Sequence, residues 1–313
     1  CAPVAPGGVW TYDITTGELV NSFAPQVNGQ VKAIAASPDG SRLYMGGSFT
    51  SINGTTRWNI AALDPVTGAV LNVWRPAVGG SYVNAIAATD TAVYVGGSIW
   101  SGNSVERQNL MAFDTSGALL GWAPTTDLQV DDMVLTPASD KLIVAGRFAA
   151  VNGVSQRGLV ALDLGDGSIL DWAAPQTVVN GWNEGSYAGK AGILSLTVDD
   201  NAVYGTGWVY ANKTVGNLEG TFSAEPGSGE IRWIADCHGD TVSVHSDGST
   251  VYTVGHNHDC QTLGGFPEQT PKVAQNAVAL TAEVKGTLTR GIVSSIYADW
   301  SGYPAPAMVN WFP

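Results

Sequence analysis

A repeat of about fifty residues constrains the fold of this 313-residue chain more than any other feature. Three copies are clear and begin at Val31, Val83 and Val130, and two diverged copies begin near Ile193 and Thr241. One glycine recurs in register in all five copies: Gly47, Gly97, Gly146, Gly207 and Gly255. An aromatic residue recurs near the end of successive units: Phe23, Trp74, Trp122, Trp172 and Trp233. The chain is therefore expected to be several copies of one structural unit.

Each copy divides into four short strands. In the first, VKAIAAS alternates apolar and polar residues and ends at a Pro-Asp-Gly turn, and RLYMGGSF follows as the second strand. An Asn-Gly loop precedes NIAALD, and a further tight turn precedes AVLNVW. Strands and turns at this spacing, without helix between them, indicate antiparallel sheet. Four strands per unit of this length predict an all-β fold, a β-propeller of four-stranded antiparallel blades.

The two ends of the chain bear on the number of blades. Residues 9–25 match only the back half of a repeat and are interpreted as an N-terminal half-blade. Segment 292–313 is interpreted as an irregular C-terminal tail or an incomplete last blade of a single domain over 1–313. Six blades are preferred, with five as the alternative, because an open propeller would expose sheet edges. The longer spacing before the fourth copy predicts a surface loop at 176–190.

Charge and hydropathy exclude several classes of partner. The formal net charge is −13, from 14 Lys and Arg against 27 Asp and Glu, and no basic stripe offsets it. Such a surface repels phosphate, so neither nucleic acid nor an anionic membrane surface is expected as a partner. No run of 18 apolar residues occurs, so no membrane span is expected.

Three cysteines occur: Cys1, Cys237 and Cys260. The last two bracket a short segment and are expected to form a disulfide, which implies an oxidising compartment; two buried thiols are the alternative. Cys1 is interpreted either as the acylated first residue of a mature lipoprotein or as the partner of a cysteine in another chain.

The pattern GGSF-x-x-(I/V)-N-G, then Arg, (A/V)-A-(L/F)-D and W-x-P, resembles the delta-sixty repeat of secreted bacterial β-propeller proteins. The resemblance covers residues 9–290 and weakens after Gly207. It implies a propeller fold and an extracellular or cell-surface location, and it implies no particular reaction.

All four histidines lie in the fifth copy. Aligned with the first copy, His238 lies where the first strand begins, and His256 and His258 lie where the second strand ends. Antiparallel pairing places these three on one rim, with Asp240 beside them, whereas His245 belongs to the opposite rim. Imidazoles with a carboxylate suit Zn²⁺ or another divalent metal. The alternatives are histidines that only bond to turn backbones, or that bind a sugar carboxylate when protonated.

Three tryptophans and two arginines are further candidates for ligand binding. Trp58, Trp100 and Trp208 fall in or near loops, where exposed rings can stack on sugars, although core packing is the commoner role. Arg57 and Arg107 occupy equivalent positions in two copies; they could bind anions, or they could brace neighbouring loops.

These observations favour a non-catalytic binding protein, extracellular or at the cell surface, that recognises a glycan or a surface protein through one rim. The chain has none of the H-E-x-x-H, G-x-S-x-G or P-loop signatures. The alternative is a metal-dependent polysaccharide hydrolase or lyase that uses His238, His256 and His258 as ligands and Asp240 as ligand or base. A third hypothesis is a structural subunit that self-associates through an open sheet edge.

Overall fold

The computed structural model describes residues 9–289 and 298–312, so the proposed roles of Cys1 lie outside the described residues. Antiparallel sheets follow one another along these residues, with one helix of four residues, α1 (Ala174–Thr177). The chain divides into two compact units, Cys1–Thr125 and Thr126–Pro313. The predicted all-β fold is confirmed, whereas the single domain over 1–313 stays a prediction.

The first unit contains two sheets and one small hairpin. Its strands are β1 (Gln30–Ala36), β2 (Leu43–Ser48), β3 (Ser51–Ile52), β4 (Thr55–Thr56), β5 (Ile60–Leu63), β6 (Val78–Ala88), β7 (Ala92–Gly102), β8 (Val105–Glu106) and β9 (Leu110–Asp114). The first sheet has the order β1-β2-β5, and β3 pairs with β4 in the loop between its second and third strands. In the second sheet β7 pairs with β6, β8 and β9.

The second unit begins with a sheet of the same design and continues with two complete four-stranded sheets. Its strands are β10 (Val130–Leu135), β11 (Leu142–Gly146), β12 (Ala150–Val151), β13 (Val154–Ser155), β14 (Leu159–Leu162), β15 (Ala191–Val198), β16 (Val203–Val209), β17 (Gly220–Ala224), β18 (Ile231–Asp236), β19 (Thr241–Ser246), β20 (Thr250–Asn257), β21 (Gln275–Thr281), β22 (Gly286–Thr287), β23 (Pro304–Ala305) and β24 (Met308–Phe312). The sheet orders are β10-β11-β14, β15-β16-β17-β18 and β19-β20-β21-β24. Short 3₁₀ turns occupy Gly185–Tyr187 and Gln261–Leu263.

A β-bulge explains the recurrent glycine. In the first sheet the pairing of β1 with β2 shifts by one residue between Val31 and Ala33, and each of the other four copies has a bulge at the same place. The bulge brings the two backbones so close that a Cβ at Gly47 would collide with the carbonyl of Gln30. Only glycine leaves room for this approach, so the repeat preserves it.

The fourth strand predicted for each of the first three copies is reduced to a single bridge. The bridges join Leu63 to Val70, Phe113 to Leu119 and Leu162 to Ile169. In the first copy the amide N–H of Trp74 donates to the carbonyl of Leu71 at 3.4 Å, so the chain turns there. The indole is fully buried and donates to the carbonyl of Asp114 at 3.0 Å. The buried indole of Trp74 thus lies where the sequence predicted the end of the fourth strand.

The chain ends partly match the expectation for them. Residues 9–25 form one bridge, Tyr12 to Leu19, closed by a turn in which the Asp13 carboxylate accepts the backbone N–H of Thr15. Within the C-terminal tail, β24 pairs with β21 and is the fourth strand of the last sheet. The described part of the tail thus supplies the fourth strand of a sheet, and the interpretation of 292–313 as an irregular tail or an incomplete last blade stays a prediction.

Candidate functional site

Trp58 and Trp100 of the first unit are exposed, and both residues contact the backbone segment 78–80. Trp58 is 55% exposed and Trp100 is 59% exposed, although most large aromatic residues of the core are fully buried. The backbone N–H of Val78 donates to the carbonyl of Trp58 at 3.3 Å. A Cβ at Gly79 would lie 3.4 Å from Nε1 of Trp100. We call these two residues, with the segment 78–80 that both contact, the Trp58–Trp100 surface.

Asn59 fixes the loop that carries Trp58. Its backbone has φ of 60°, a left-handed conformation that asparagine tolerates better than most residues. Its side-chain amide donates to the carbonyls of Val78 at 3.1 Å and Gly80 at 3.2 Å. The loop is thereby attached to the first residues of β6, and the exposed indole is presented from an ordered backbone.

Trp208 is less accessible than the other two candidate rings. It lies in β16 of the second unit and is partly buried. The guanidinium carbon of Arg147 lies 5.0 Å from its ring centre, and Nε of Arg147 lies 3.0 Å from the Asp131 carboxylate. One face of Trp208 is therefore occupied by a protein cation.

Arg57 and Arg107 direct their guanidinium groups at protein acceptors. Arg57 is buried and donates to the carbonyl of Thr56 and to Oδ1 of Asn72, each at 2.7 Å. Arg107 donates to the carbonyls of Glu106 at 2.8 Å and Leu120 at 2.9 Å. This geometry fits the bracing alternative, and anion binding by either arginine stays a prediction.

Three of the four histidines lie together in the second unit. The ring centre of His258 is 6.1 Å from that of His238 and 6.5 Å from that of His256. The predicted disulfide between Cys237 and Cys260 is confirmed, with its Cα atoms 4.3 Å apart. The bridge joins the residue before His238 to a residue two beyond His258. We call His238, His256 and His258, with the side chains that contact them, the histidine cluster.

A carboxylate faces Nδ1 of each imidazole. The distances are 3.7 Å from His238 to Asp259, 3.6 Å from His256 to Asp240 and 3.4 Å from His258 to Glu268. A carboxylate at one ring nitrogen favours the tautomer whose lone pair is on the other, Nε2. Asp240, predicted as a metal ligand or base, thus lies near Nδ1 of His256 but too far for a hydrogen bond.

Lys272 contacts the remaining nitrogen of His258. Its ammonium lies 3.2 Å from Nε2 of His258 and 3.3 Å from the carboxylate of Glu268. An ammonium can only donate, so Nε2 must accept and the imidazole must be neutral. Burial, followed by the charge of Lys272, lowers the pKa of His258 to about 4, which agrees with this protonation.

Three acidic side chains near the cluster have raised pKa values. Burial, reinforced by Asp240 and Asp236, raises the pKa of Glu219 to about 8. Burial also raises the pKa of Asp236 and of Asp240. The Asp236 carboxylate accepts the backbone N–H of His238 at 3.0 Å. The carboxylates of Asp240, Asp259 and Glu268 face the imidazoles and one lysine contacts His258, so the local charge favours a cation over an anion.

Sequence reasoning found the histidines and Asp240 but missed most of their partners. Glu219, Asp236, Glu268 and Lys272 lie in the diverged copies, where no register assigns them a position. The one available signal was the position of Asp236 and Asp259 directly beside the two cysteines. In ranges 9–289 and 298–312, no three His, Cys, Asp or Glu side chains stand ready to hold one metal ion.

Comparison with known proteins identifies the fold but no family. No family model matches the chain, so the resemblance to the delta-sixty repeat stays a prediction. No curated protein matches it either. A chain from the "Crystal Structure of Mitotic Checkpoint Complex" superposes with a TM-score of 0.52 at 12% identity, covering 88% of this chain and 70% of that one. The "Structure of U3-55K" also gives 0.52, at 10% identity, covering 98% of this chain and 75% of that one.

These neighbours have WD40 or propeller-like folds. Together with the repeated antiparallel sheets, of which two are complete four-stranded sheets, they define the chain as a β-propeller. Five or six blades stays a prediction. Among the helices in the described ranges, none is long and apolar enough to cross a membrane.

Proposed function

We propose that this protein is a non-catalytic binding propeller that recognises a neutral glycan through the Trp58–Trp100 surface. The observation that carries the proposal is the exposure of two tryptophans that contact one short backbone segment, Trp58 through its backbone carbonyl and Trp100 through its indole. An exposed indole loses ordered water and gains contact when an apolar sugar face covers it. Two such rings on an ordered backbone supply a preformed surface, as small-ligand recognition requires.

The backbone segment that both tryptophans contact also supports glycan binding. Gly79 has no side chain, and a Cβ there would collide with Oγ of Ser101. Because Gly79 has no side chain, a sugar ring could approach both the indole of Trp100 and the hydroxyl of Ser101. Hydroxyl and backbone groups pair with sugar hydroxyls without requiring charge on the ligand. A neutral sugar also avoids the repulsion that a chain of net charge −13 exerts on anionic ligands.

The disulfide is compatible with an oxidising environment, which supports an extracellular or cell-surface location as part of this proposal. Many WD40-like propellers bind protein partners, and a surface protein is the alternative ligand for the same rings. Hydrolase or lyase chemistry at the histidine cluster is the alternative from another class; activity on polysaccharide that is lost in H256A would favour it.

A printed array of neutral gluco-, manno- and chito-oligosaccharides tests the proposal. The full chain is applied beside the double variant Trp58→Ala with Trp100→Ala. A matched control is Tyr187→Ala, which removes an aromatic ring that is 45% exposed in the second unit. Binding by the wild type and the control, with loss in the double variant, supports the proposal. No binding to any array member by the wild type, or equal binding by the double variant, refutes it.

A further inference from the structure

The histidine cluster combines three imidazoles that each have a carboxylate near Nδ1, and the ammonium of Lys272 lies at one of them, His258. We propose that the cluster binds a divalent transition metal of the Zn²⁺ type through Nε2 of His238, His256 and His258, in exchange for the ammonium of Lys272. This site is distinct from the Trp58–Trp100 surface, so it does not depend on the function proposed above.

The carboxylates near the three imidazoles support metal binding. Metal-bound histidines usually have a carboxylate or carbonyl at the nitrogen that does not bind the metal. Here a carboxylate lies within 3.7 Å of Nδ1 in all three rings. Histidines that merely cap turns have no reason to acquire three such partners. On this proposal Asp240, Asp259 and Glu268 would accept hydrogen bonds from Nδ1–H once the metal binds, and Asp240 would not itself bind the metal.

The burial of His258 also supports metal binding. Its side chain is 6% exposed, and its Nδ1 makes no hydrogen bond although Glu268 lies nearby. Among the described residues, its partner at Nε2 is the ammonium of Lys272, at 3.2 Å. A buried neutral imidazole with its lone pair on a cation is already in the form that binds metals. Lys272 thus marks the position at which the cluster attracts positive charge.

A metal ion can replace the ammonium of Lys272 because the side chains involved are free to move. The side chain of Lys272 is 55% exposed and that of His256 is 54% exposed, so both can move into solvent or rotate. Two imidazoles that share one tetrahedral Zn²⁺ have ring centres about 5 Å apart, given Zn–N bonds of about 2.0–2.1 Å. The present separations of 6.1 Å and 6.5 Å require a closure of about 1 Å or slightly more. The disulfide limits the movement of the backbone around the site.

The surrounding acids supply the driving force. Asp240, Asp259 and Glu268 place carboxylates within 3.7 Å of the three imidazoles, and these negative charges repel one another. A divalent ion relieves that repulsion by twice as much charge as Lys272 provides. An anion would add to it, so the cluster is suited to a cation.

Calorimetric titration of the full chain with ZnCl₂ after dialysis against chelator tests the proposal, with CoCl₂ absorption to report tetrahedral nitrogen ligands. His258→Ala is expected to weaken binding at least 100-fold, because it removes the central ligand. Lys272→Met is expected to tighten binding about tenfold by removing the competing cation. His245→Ala, an exposed histidine in β19 outside the cluster, is the matched control and should bind as the wild type does.

His256→Ala serves as a second ligand variant in case His258→Ala fails to fold, because His256 is half-exposed. Thermal melting of the metal-free proteins checks the fold of every variant. Failure of both the wild type and Lys272→Met to bind Zn²⁺ at submillimolar concentration overturns the proposal. So does binding by His256→Ala that matches that of the control.

Discussion

Replacement of Trp100 by alanine should weaken glycan binding by an amount set by its exposed area. A tryptophan contributes up to about 250 Å², so 59% exposure leaves about 150 Å² accessible. A sugar ring covers one face, about 75 Å², and at about 25 cal/mol per Å² this contributes about 1.9 kcal/mol. The dissociation constant should therefore rise about 20-fold. The same reasoning gives a slightly smaller effect for Trp58, which is 55% exposed.

The assay is calorimetric titration with the oligosaccharide that the wild type retains best on the array. If one ligand covers both rings independently, the free-energy losses of the two single variants should add, to roughly 400-fold in the double variant. The fold should be unchanged, because neither ring belongs to the buried core, and the melting temperatures check this. A loss of less than twofold for Trp100→Ala, or an equal loss for Tyr187→Ala, contradicts the reasoning.

Three stability predictions follow from the structure. Burial raises the pKa of Asp132 to about 6 from about 3.9 in the unfolded chain, so the folded state favours the protonated form. Stability should therefore fall by about 3 kcal/mol as pH rises from about 4 to 6, and urea unfolding of Asp132→Asn should lack this slope; equal slopes contradict the assignment. Replacing Cys237 and Cys260 by serine opens a loop with a sequence separation of 23, which should lower the free energy of unfolding by about 3 kcal/mol in urea; a change below about 1 kcal/mol refutes this. Gly97→Ala should destabilise by about 3 kcal/mol in the same assay because its Cβ would collide with backbone. Gly121→Ala, with nothing within 4 Å, should change little, and similar losses for both would exclude the bulge explanation.

The strands and turns of the fold could be predicted because they depend on local patterns. The alternation in VKAIAAS, the Pro-Asp-Gly turn and the recurrent glycine led to the correct class of fold, and the structure places β1 and β2 within a residue or two of the expected bounds. The fourth strands could not be predicted as accurately. Whether AVLNVW extends along the sheet or turns at Leu71 depends on the cavity that receives the indole of Trp74, which is formed by residues distant in sequence.

The candidate sites divide in the same way. Strand register alone was enough to bring His238 near His256 and His258, since antiparallel neighbours meet wherever the strands are paired. Their chemical environment was not predictable, because Glu219, Glu268 and Lys272 reach the cluster from segments without register. The repeat pattern also could not predict that Trp58 and Trp100 are exposed whereas Arg57 is buried.

By itself, the sequence determined the repeating sheet, the disulfide and the clustering of three histidines, since these follow from periodic hydrophobicity and pairing between neighbouring strands. Only the tertiary structure decided which side chains reach solvent and which charges face one another. Those properties depend on packing between segments far apart in the chain, and no local pattern encodes the distance from Lys272 to His258.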